Sequence, residues 1–238
     1  MLQIEHLVKK YKGTDKGVKD ISLHVEKGDL YAFIGHNGAG KTTLLKCVTG
    51  IHGFDSGKIL IHGVDLESDP IACKKDMANI PYNPDLYDYL TGIQYLNFVA
   101  DIYEVPSKER MERIEHYGKE LEIFEALEDL IKSYSHGMKQ KLALLSALIH
   151  EPKLLILDEP FVGLDPKATV SLKAIMRKIC DNGGAIFFST HVLEVAEKLC
   201  NKVAIIKDGR LIASGTMEEL VGQKESLEDV FMEVLESE

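Results

Sequence analysis

The stretch "LYAFIGHNGAGKTTLLKCV", residues 30–48, combines the three features that decide the fold. A short apolar run predicts a strand, a glycine-rich loop follows, and the last eight residues have the periodicity of a helix. The glycines let successive backbone N–H groups curl around phosphate oxygens. In such a loop Lys41 would reach the β- and γ-phosphates, and the Thr42 hydroxyl would bind Mg²⁺. The predicted nucleotide-binding residues are Gly35, His36, Asn37, Gly38, Ala39, Gly40, Lys41, Thr42 and Thr43.

A second motif, "LLILDEP" at residues 154–160, places two carboxylates at the end of an apolar strand. Open parallel sheets bind their ligands at the carboxyl ends of their strands. Asp158 could hold Mg²⁺ there, directly or through water. Glu159 is a candidate base that orients and deprotonates an attacking water. The alternative is a pair of solvated acids at a strand end, and the P-loop upstream favours the catalytic interpretation.

A candidate histidine follows another apolar strand in "FFSTHVLEVAE", residues 187–197. At a strand end the His191 side chain could reach the γ-phosphate of a bound nucleotide. A lone histidine in that position is usually just a satisfied polar residue, so His191 is assigned a catalytic role only because of the two motifs above. The other eight histidines form no H-E-x-x-H or comparable metal pair.

The stretch "YSHGMKQKLALLSALIH", residues 134–150, predicts a second seat for an anion. Apolar residues recur at helical spacing, and Ser135 and Gly137 stand at the start of the predicted helix. The unpaired N–H groups of a helix N-terminus point outward and carry a partial positive charge, which suits an anion. The alternative is that Ser135 serves only as the N-cap of this helix.

Around these motifs the chain changes character twice. Short strands dominate the first third, helical periodicity dominates residues 84–150, and strands alternate with helices in the last third. Alternation of this kind predicts an α/β fold with a parallel sheet and helices on its faces. The helical middle is then predicted to be an insertion between the P-loop region and the later strands. The strands predicted in the first third cover residues 2–10, 18–25, 29–35 and 58–61.

The composition is that of an ordinary globular chain of 238 residues, 45% hydrophobic and 28% charged. A formal net charge of -10 argues against binding to nucleic acid, which calls for a basic surface. The four cysteines have no metal or C-x-x-C spacing, so we expect buried, reduced thiols in a cytosolic protein. We see no signal peptide and no apolar run near the roughly 18 residues that span a bilayer.

In their order, these motifs resemble the ATP-binding cassette (ABC) family over nearly the whole chain. The family pattern comprises an adenine-stacking aromatic, a P-loop, a Gln-containing loop, a Ser-Gly signature, an Asp-Glu strand end, a short Asp loop and a switch histidine. The resemblance implies ATP and Mg²⁺ as cofactors. The corresponding positions are Tyr11, residues 35–42, the loop near Tyr82, "SHGMK" from Ser135, Asp158 and Glu159, "GLDP" with Asp165, and His191.

The resemblance also implies an architecture and an assembly. The fold would be a P-loop NTPase core with a mostly parallel sheet, an N-terminal antiparallel β subdomain and an inserted helical subdomain. Residues 1–238 would form one nucleotide-binding domain, with residues of about 1–83 and 151–238 in the ATP-binding core and about 84–150 in the helical signature subdomain. Two cassettes of the family pack head to tail. Ser135 and Gly137 would therefore grip the γ-phosphate bound by the P-loop of a second copy or a paralogue.

The signature departs from the family's usual Leu-Ser-Gly-Gly-Gln. This chain reads "YSHGM" at residues 134–138, but it retains Ser135 and Gly137, to which the resemblance assigns the phosphate contacts. A signature with methionine and a following basic residue resembles a branch rich in exporters. The ending "SLEDVFMEVL", residues 226–235, resembles the same branch.

The loop "NIPYNPDLYDYLTG", residues 79–92, departs further. The family's usual Gln or Glu position falls on Tyr82, and a neutral phenol is a poor Mg²⁺ ligand beside a carboxylate or amide oxygen. Either Asn83 takes the role with a shift of one residue, or Mg²⁺ is held by Thr42, Asp158 and water. Both alternatives stay open at the level of sequence.

Taken together, the resemblance implies the ATPase subunit of a membrane transporter whose permease subunits are encoded separately. The chain would lie in the cytoplasm against the inner face of the cell membrane. Aromatic residues of the loop 82–90 and the following helix would form a groove for a permease helix: Tyr87, Tyr89, Tyr95 and Phe98. For Tyr95 and Phe98 we favour a place in the core. The alternatives are a soluble cassette ATPase and a nucleotide sensor that barely hydrolyses ATP, against which Glu159 and His191 argue.

Overall fold

The computed structural model describes residues 1–222, 224 and 226–236, and this part of the chain forms ten strands and nine α-helices. The strands are β1 (Leu2–Lys10), β2 (Gly17–Val25), β3 (Leu30–Ile34), β4 (Ser56–Ile61), β5 (Val64–Asp65), β6 (Met77–Ile80), β7 (Leu154–Asp158), β8 (Ala185–Thr190), β9 (Lys202–Lys207) and β10 (Arg210–Thr216). The helices are α1 (Lys41–Val48), α2 (Pro70–Lys75), α3 (Gly92–Ile102), α4 (Ser107–Glu120), α5 (His136–Leu148), α6 (Pro166–Asp181), α7 (Leu193–Leu199), α8 (Met217–Val221) and α9 (Leu227–Glu236).

The strands form two sheets. The larger one has the order β10-β9-β3-β8-β7-β6, in which all neighbours run parallel except β9 and β10. The smaller one has the order β2-β1-β4-β5 and is antiparallel throughout. The α/β fold with a mostly parallel sheet and an N-terminal antiparallel sheet is therefore confirmed.

The inner strands of the larger sheet are covered on both faces, which explains their continuous apolar runs. Every residue of β3, β7 and β8 is buried. Successive side chains of a strand point to opposite faces. Phe33 and Phe187 accordingly pack toward the antiparallel sheet and α1, whereas Ile34 and Phe188 pack toward α3, α4, α5 and α6. The helical segment and the antiparallel sheet thus cover opposite faces of one central sheet.

The segment between β6 and β7 is helical, as predicted, and two short 3₁₀ turns, Phe124–Ala126 and Ile131–Ser133, lie between α4 and α5. Helix α3 begins with a capping box in which Thr91 and Gln94 satisfy each other's backbone N–H groups. Helix α5 packs against β6, α3 and α4. It is buried on nearly every side from Gln140 to its end, because other elements surround it rather than only one core face.

Several elements were not predicted from the sequence. They are α2, β5, β6, the edge strand β10, α8 and α9, and β4 also begins two residues earlier than expected. Helix α2 has six residues and β5 has two, so neither is long enough to show a clear period. Strand β10 contains Arg, Ser and Gly and has no buried residue, and it is defined by its antiparallel pairing with β9 rather than by its own composition.

All four cysteines are buried and unpaired, as expected. Burial raises the pKa of the Cys47 thiol to about 11, which disfavours the reactive thiolate. Among the described residues, no helix combines the length and the apolar character that crossing a bilayer requires.

Candidate active site

A cavity of about 510 Å³ opens at the carboxyl ends of β3, β7 and β8. Most of the predicted site residues meet there, although they are spread over the chain. A slightly larger groove of about 590 Å³ lies at the amino ends of the same strands and is lined by none of the predicted site residues. The cavity is lined by Tyr11, Lys16, Gly17, His36, Asn37, Gly38, Gly40, Lys41, Thr42, Thr43, Tyr82, Asp158, Glu159 and His191.

The backbone conformation and the close packing of the P-loop explain why it contains glycines. Gly40 has a left-handed φ of 111°, and a Cβ there would lie 2.8 Å from the carbonyl oxygen of Gly17. Gly40 is also the N-cap of α1 and makes no side-chain cap, so the first N–H groups of α1 remain available to phosphate oxygens. Gly35 and Ala39 do not line the cavity. A Cβ on Gly35 would lie 2.5 Å from the carbonyl oxygen of Ile206, which explains the glycine there by close packing.

The amine of Lys41 lies inside the cavity in a compact network. Its Nζ donates to the carbonyl oxygen of Gly35 at 2.7 Å and lies 3.7 Å from Oε1 of Glu159. Burial lowers the pKa of the Lys41 amine, and the carboxylates of Glu159 and Asp158 oppose that effect. A buried ammonium of this kind is stabilised by added negative charge, which phosphate oxygens would supply.

Thr42 and Asp158 come together from positions far apart in the chain. The Thr42 hydroxyl donates to Oδ2 of Asp158 at 2.8 Å. Hydroxyl and carboxylate oxygens are hard ligands of the kind that Mg²⁺ prefers, and Mg²⁺ usually completes its shell with water and substrate phosphates. The donor set therefore fits Mg²⁺.

The carboxylate of Glu159 lies between two other predicted site residues. Its Oε1 is 2.9 Å from Nδ1 of His191 and 3.7 Å from Nζ of Lys41. Glu159 has a left-handed φ of 51°, a region that residues other than glycine rarely occupy. Strained backbone of this kind persists where the surrounding structure holds it, and it clusters at functional sites. Here it turns the chain sharply after β7 and directs the carboxylate into the cavity.

Ser189 was not predicted as a site residue, yet it contacts the site directly. It is fully buried at the end of β8, and its hydroxyl donates to Oδ1 of Asp158 at 2.5 Å. In the sequence it reads as the last residue of the apolar run "AIFFS". The available signal was a hydroxyl at a strand end, two residues before His191.

The two tyrosines predicted near the nucleotide both line the cavity. The Tyr11 hydroxyl lies 3.4 Å from the hydroxyl of Thr43, so its ring stands beside the P-loop helix, as a stacking platform for adenine would. Tyr82 follows β6, the neighbour of β7, and faces the same space, whereas Asn83 lies outside the lining. The Mg²⁺ site of Thr42, Asp158 and water stays a prediction, and Asn83 does not share the cavity with those two residues.

Ser135, Gly137 and Asp165 lie outside the cavity and form a separate cluster, the signature surface (residues 135–137 and 163–165). The Ser135 hydroxyl accepts from the N–H of Met138 at 3.2 Å, so Ser135 is the N-cap of α5, and its contact with phosphate stays a prediction. A Cβ on Gly137 would lie 2.8 Å from the carbonyl oxygen of Gly163, which explains the glycine by close packing. Asp165 caps α6, and a hydrogen bond from Lys141 holds the pKa of Asp165 below its usual value.

The loop and helix after β6 contain four aromatic residues, here called the aromatic groove (Tyr87, Tyr89, Tyr95 and Phe98), of which Tyr87, Tyr89 and Phe98 are exposed. Tyr87 meets Tyr95 and Phe98 edge to face, with ring centroids 6.0 and 5.7 Å apart. Tyr95 is mostly buried, as expected, but the placement of Phe98 in the core was wrong, because its side chain is 44% exposed. Phe98 lies midway between the buried Leu96 and Ala100 on α3, and two residues along a helix rotate a side chain to the other face.

A parallel sheet that presents a P-loop, a strand-end Asp-Glu pair and a facing histidine around one cavity defines a P-loop nucleoside triphosphatase. The family described as ABC transporter matches residues 18–162 of the chain, more than half of its length. The chain belongs to the ABC transporter family, and within it to the ATP-binding ATPase cassettes.

Relatives and solved structures agree with this assignment. The SkfA peptide export ATP-binding protein SkfE of Bacillus subtilis is 37% identical over 214 residues, which are 89% of this chain and 87% of SkfE. The uncharacterized ABC transporter ATP-binding protein all4389 of Nostoc sp. strain PCC 7120 is 37% identical over 87% of this chain, but the match spans only 62% of all4389. The solved structure of an ATP binding subunit of an ABC transporter is 33% identical to this chain, with a TM-score of 0.94. The match covers 99% of this chain and 100% of that subunit's chain.

Proposed function

We propose that the chain binds ATP with Mg²⁺ and hydrolyses it to drive separately encoded permease subunits of an exporter. One observation carries the proposal. Lys41 and His191 approach the same oxygen of Glu159, at 3.7 and 2.9 Å, in a cavity that Thr42 and Asp158 also line. A phosphate-binding amine, a candidate base and a metal-ligand pair in one space are the parts that phosphoryl transfer to water requires.

Each residue has a distinct role in this proposal. The P-loop N–H groups and Lys41 bind the β- and γ-phosphates, and Tyr11 stacks on the adenine. Thr42 and Asp158 hold Mg²⁺, which would neutralise charge on the phosphate oxygens. Glu159 orients the attacking water and accepts its proton, while His191 holds the Glu159 carboxylate in place and faces the γ-phosphate.

The proposal includes a head-to-tail dimer, formed with an identical copy or a paralogue. Ser135 and Gly137 are separated from the cavity of their own chain, and the start of α5 is exposed to solvent. A helix N-terminus that is accessible and partly positive suits the γ-phosphate of a nucleotide held by another subunit. Asp165, packed beside this surface, would lie at the same interface.

The exporter direction and the location rest on similarity. SkfE is named for peptide export, and the methionine and basic residue of this chain's signature, Met138 and Lys139, resemble those of an exporter-rich branch. We place the chain on the cytoplasmic side of the cell membrane, held there by the permease subunits. Residues of about 84–150 would act as the helical signature subdomain, and about 1–83 and 151–238 as the ATP-binding core.

Lys41→Ala is expected to lower the affinity for ATP about 10–100-fold, because a hydrogen bond to a charged group contributes roughly 1.5–3 kcal/mol. Titration calorimetry with ATP measures this. Lys46→Ala is the matched control, since Lys46 lies on the same helix and does not line the cavity. Equal ATP affinities for the wild type and the Lys41→Ala variant would rule out the P-loop assignment.

The aromatic groove is the proposed docking site for the permease. Tyr87 and Tyr89 are 57% and 87% exposed, which is unusual for side chains of this size. Exposed aromatic side chains supply much of the binding energy of protein interfaces, since they bury large areas with little loss of conformational freedom. A cavity of about 310 Å³ beside them, lined in part by Tyr95, Phe98 and Tyr103, could accept an apolar side chain of the permease.

The variant Tyr87→Ala is expected to weaken association with the permease subunits by about 2 kcal/mol, roughly 30-fold, as for an aromatic hot spot. The ATP affinity of the isolated chain should not change, because Tyr87 does not line the nucleotide cavity. Co-purification from detergent-solubilised membranes measures the association. Ile71→Ala removes another exposed large side chain, one that does not line the cavity beside the groove, and serves as the control. Retention of the permease by the Tyr87→Ala variant would exclude the groove as the main docking site.

A further inference from the structure

One buried hydroxyl connects the proposed metal ligand to the proposed base. Asp158 and Ser189 are directly paired at the ends of neighbouring parallel strands β7 and β8. The Ser189 hydroxyl donates to Oδ1 of Asp158 at 2.5 Å and accepts from the backbone N–H of Glu159 at 3.1 Å. A serine hydroxyl has one proton to donate and lone pairs to accept with, so Ser189 makes both bonds at once.

These bonds fix the orientation of the Asp158 carboxylate. Oδ1 is held by Ser189 and Oδ2 faces Thr42, whose hydroxyl lies 2.8 Å away. Ser189 is fully buried and Asp158 is nearly so, and a hydrogen bond to a carboxylate is strong in such surroundings. The carboxylate plane is therefore fixed from two sides, and Oδ2 is the oxygen turned to the cavity.

The same hydroxyl supports the backbone of Glu159. The Glu159 N–H points to both the hydroxyl and the carbonyl oxygen of Ser189, at 3.1 and 3.2 Å. Glu159 has a left-handed φ of 51°, and contacts with other residues must hold its backbone in this conformation. Removing the hydroxyl would free one oxygen of Asp158 and loosen the turn that aims Glu159.

We propose that Ser189 is a positioning residue that holds Asp158 for Mg²⁺ and Glu159 for water. The proposal rests on the proposed function, because it takes Thr42 and Asp158 as the metal ligands. Residues that orient metal ligands typically change metal affinity about 10–100-fold when they are removed. Ser189 does not line the cavity, so it acts through Asp158 and Glu159.

The test compares ATP binding by the full chain in Mg²⁺ and in EDTA, using calorimetry. In the Ser189→Ala variant, the ATP affinity measured in Mg²⁺ is expected to fall about 10–100-fold. The ATP affinity measured in EDTA should stay nearly the same as that of the wild type. Ser189→Cys, which is close in size but a poor donor, should show the same loss if the alanine variant folds badly. Ser189→Thr retains the hydroxyl and should restore the affinity in Mg²⁺.

Thr49→Val is the matched control, since it removes another buried hydroxyl, one that donates to the carbonyl oxygen of Leu45 at 2.9 Å and does not line the cavity. In the Thr49→Val variant, adding Mg²⁺ should raise the ATP affinity by the same factor as in the wild type. Equal affinity of the Ser189→Ala variant and the wild type in Mg²⁺ would overturn the proposal, as would an equal loss in Mg²⁺ and EDTA. If the wild type itself does not bind ATP, that result contradicts the proposed function. It can be told apart from the two results above, because in both of them the wild type binds ATP.

Discussion

Glu159→Gln is expected to leave ATP binding intact while slowing hydrolysis about 10²–10⁴-fold, the usual contribution of a general base. The amide keeps the size of the carboxylate but cannot accept the proton of the attacking water. The contact with His191 at 2.9 Å and the left-handed φ of 51° together direct this side chain into the cavity. Phosphate release in single-turnover experiments measures the rate.

The same variant should accumulate as an ATP-bound dimer. If ATP binds between two subunits and is not hydrolysed, it stabilises the closed state by mass action. Light scattering with and without ATP and Mg²⁺ would then report a change from one chain to two. A monomer under both conditions, at high protein concentration, would count strongly against the head-to-tail arrangement.

Glu104→Gln is the matched control for both measurements. Glu104 also has a left-handed φ, of 57°, but it is well exposed and does not line the nucleotide cavity. The same change of carboxylate to amide should therefore leave hydrolysis at the wild-type rate. If both variants slow hydrolysis equally, the slower rate results from the loss of any one negative charge, and Glu159 is not the base.

Mixing two inactive variants is expected to restore part of the ATPase activity. Lys41→Ala damages the P-loop, and Ser135→Arg blocks the start of α5. In a mixed head-to-tail dimer one site contains both lesions and the other contains neither. Random mixing puts about half of the chains into mixed dimers, so about a quarter of wild-type activity should return if the two sites act independently.

The structure makes this experiment necessary because Ser135 is a helix cap in its own chain. The hydrogen bond from Met138 to Ser135 predicts that Ser135→Ala costs about 1 kcal/mol of stability. A cap alone would reduce activity only through that loss, and mixing would then rescue nothing. A phosphate contact in trans predicts a small fall in melting temperature with a collapse of activity, followed by rescue on mixing.

Ser133→Arg provides the control for the mixing experiment. Ser133 is exposed, lies two residues before Ser135 and precedes α5. The same substitution there should retain most of the activity without a partner variant. Absence of rescue with Ser135→Arg, when mixed dimers are shown to form, would mean that the signature surface serves its own subunit.

Much of the site could be predicted because its motifs are local. The P-loop depends on glycines, one lysine and one threonine that are close in sequence. The strand before it is a continuous apolar run, and the segment after it has helical periodicity. The strand before Asp158 and the strand before His191 are both buried on two faces, so their apolar runs were easy to recognise. Ser135 as a helix start could be read from its position before an apolar repeat.

Other features depend on neighbours that are distant in sequence. Phe98 was misassigned because a hydrophobic residue on a helix does not show which face the rest of the chain covers. The edge strand β10 is defined by its pairing with β9. Neither the left-handed backbone of Glu159 nor the placement of Tyr82, rather than Asn83, along the cavity follows from local pattern.

The sequence by itself determined that a phosphate loop, a strand-end Asp-Glu pair and a helix start with Ser and Gly exist in this chain. Only the tertiary structure decided which of these share a cavity, and that Ser189 joins Asp158 to the backbone of Glu159. The physical reason is that local motifs depend on the conformation of a few adjacent residues, whereas a site depends on register between strands. Parallel pairing of β7 with β8 aligns Asp158 with Ser189 across 31 positions of the chain, and periodicity within either strand contains no information about that alignment.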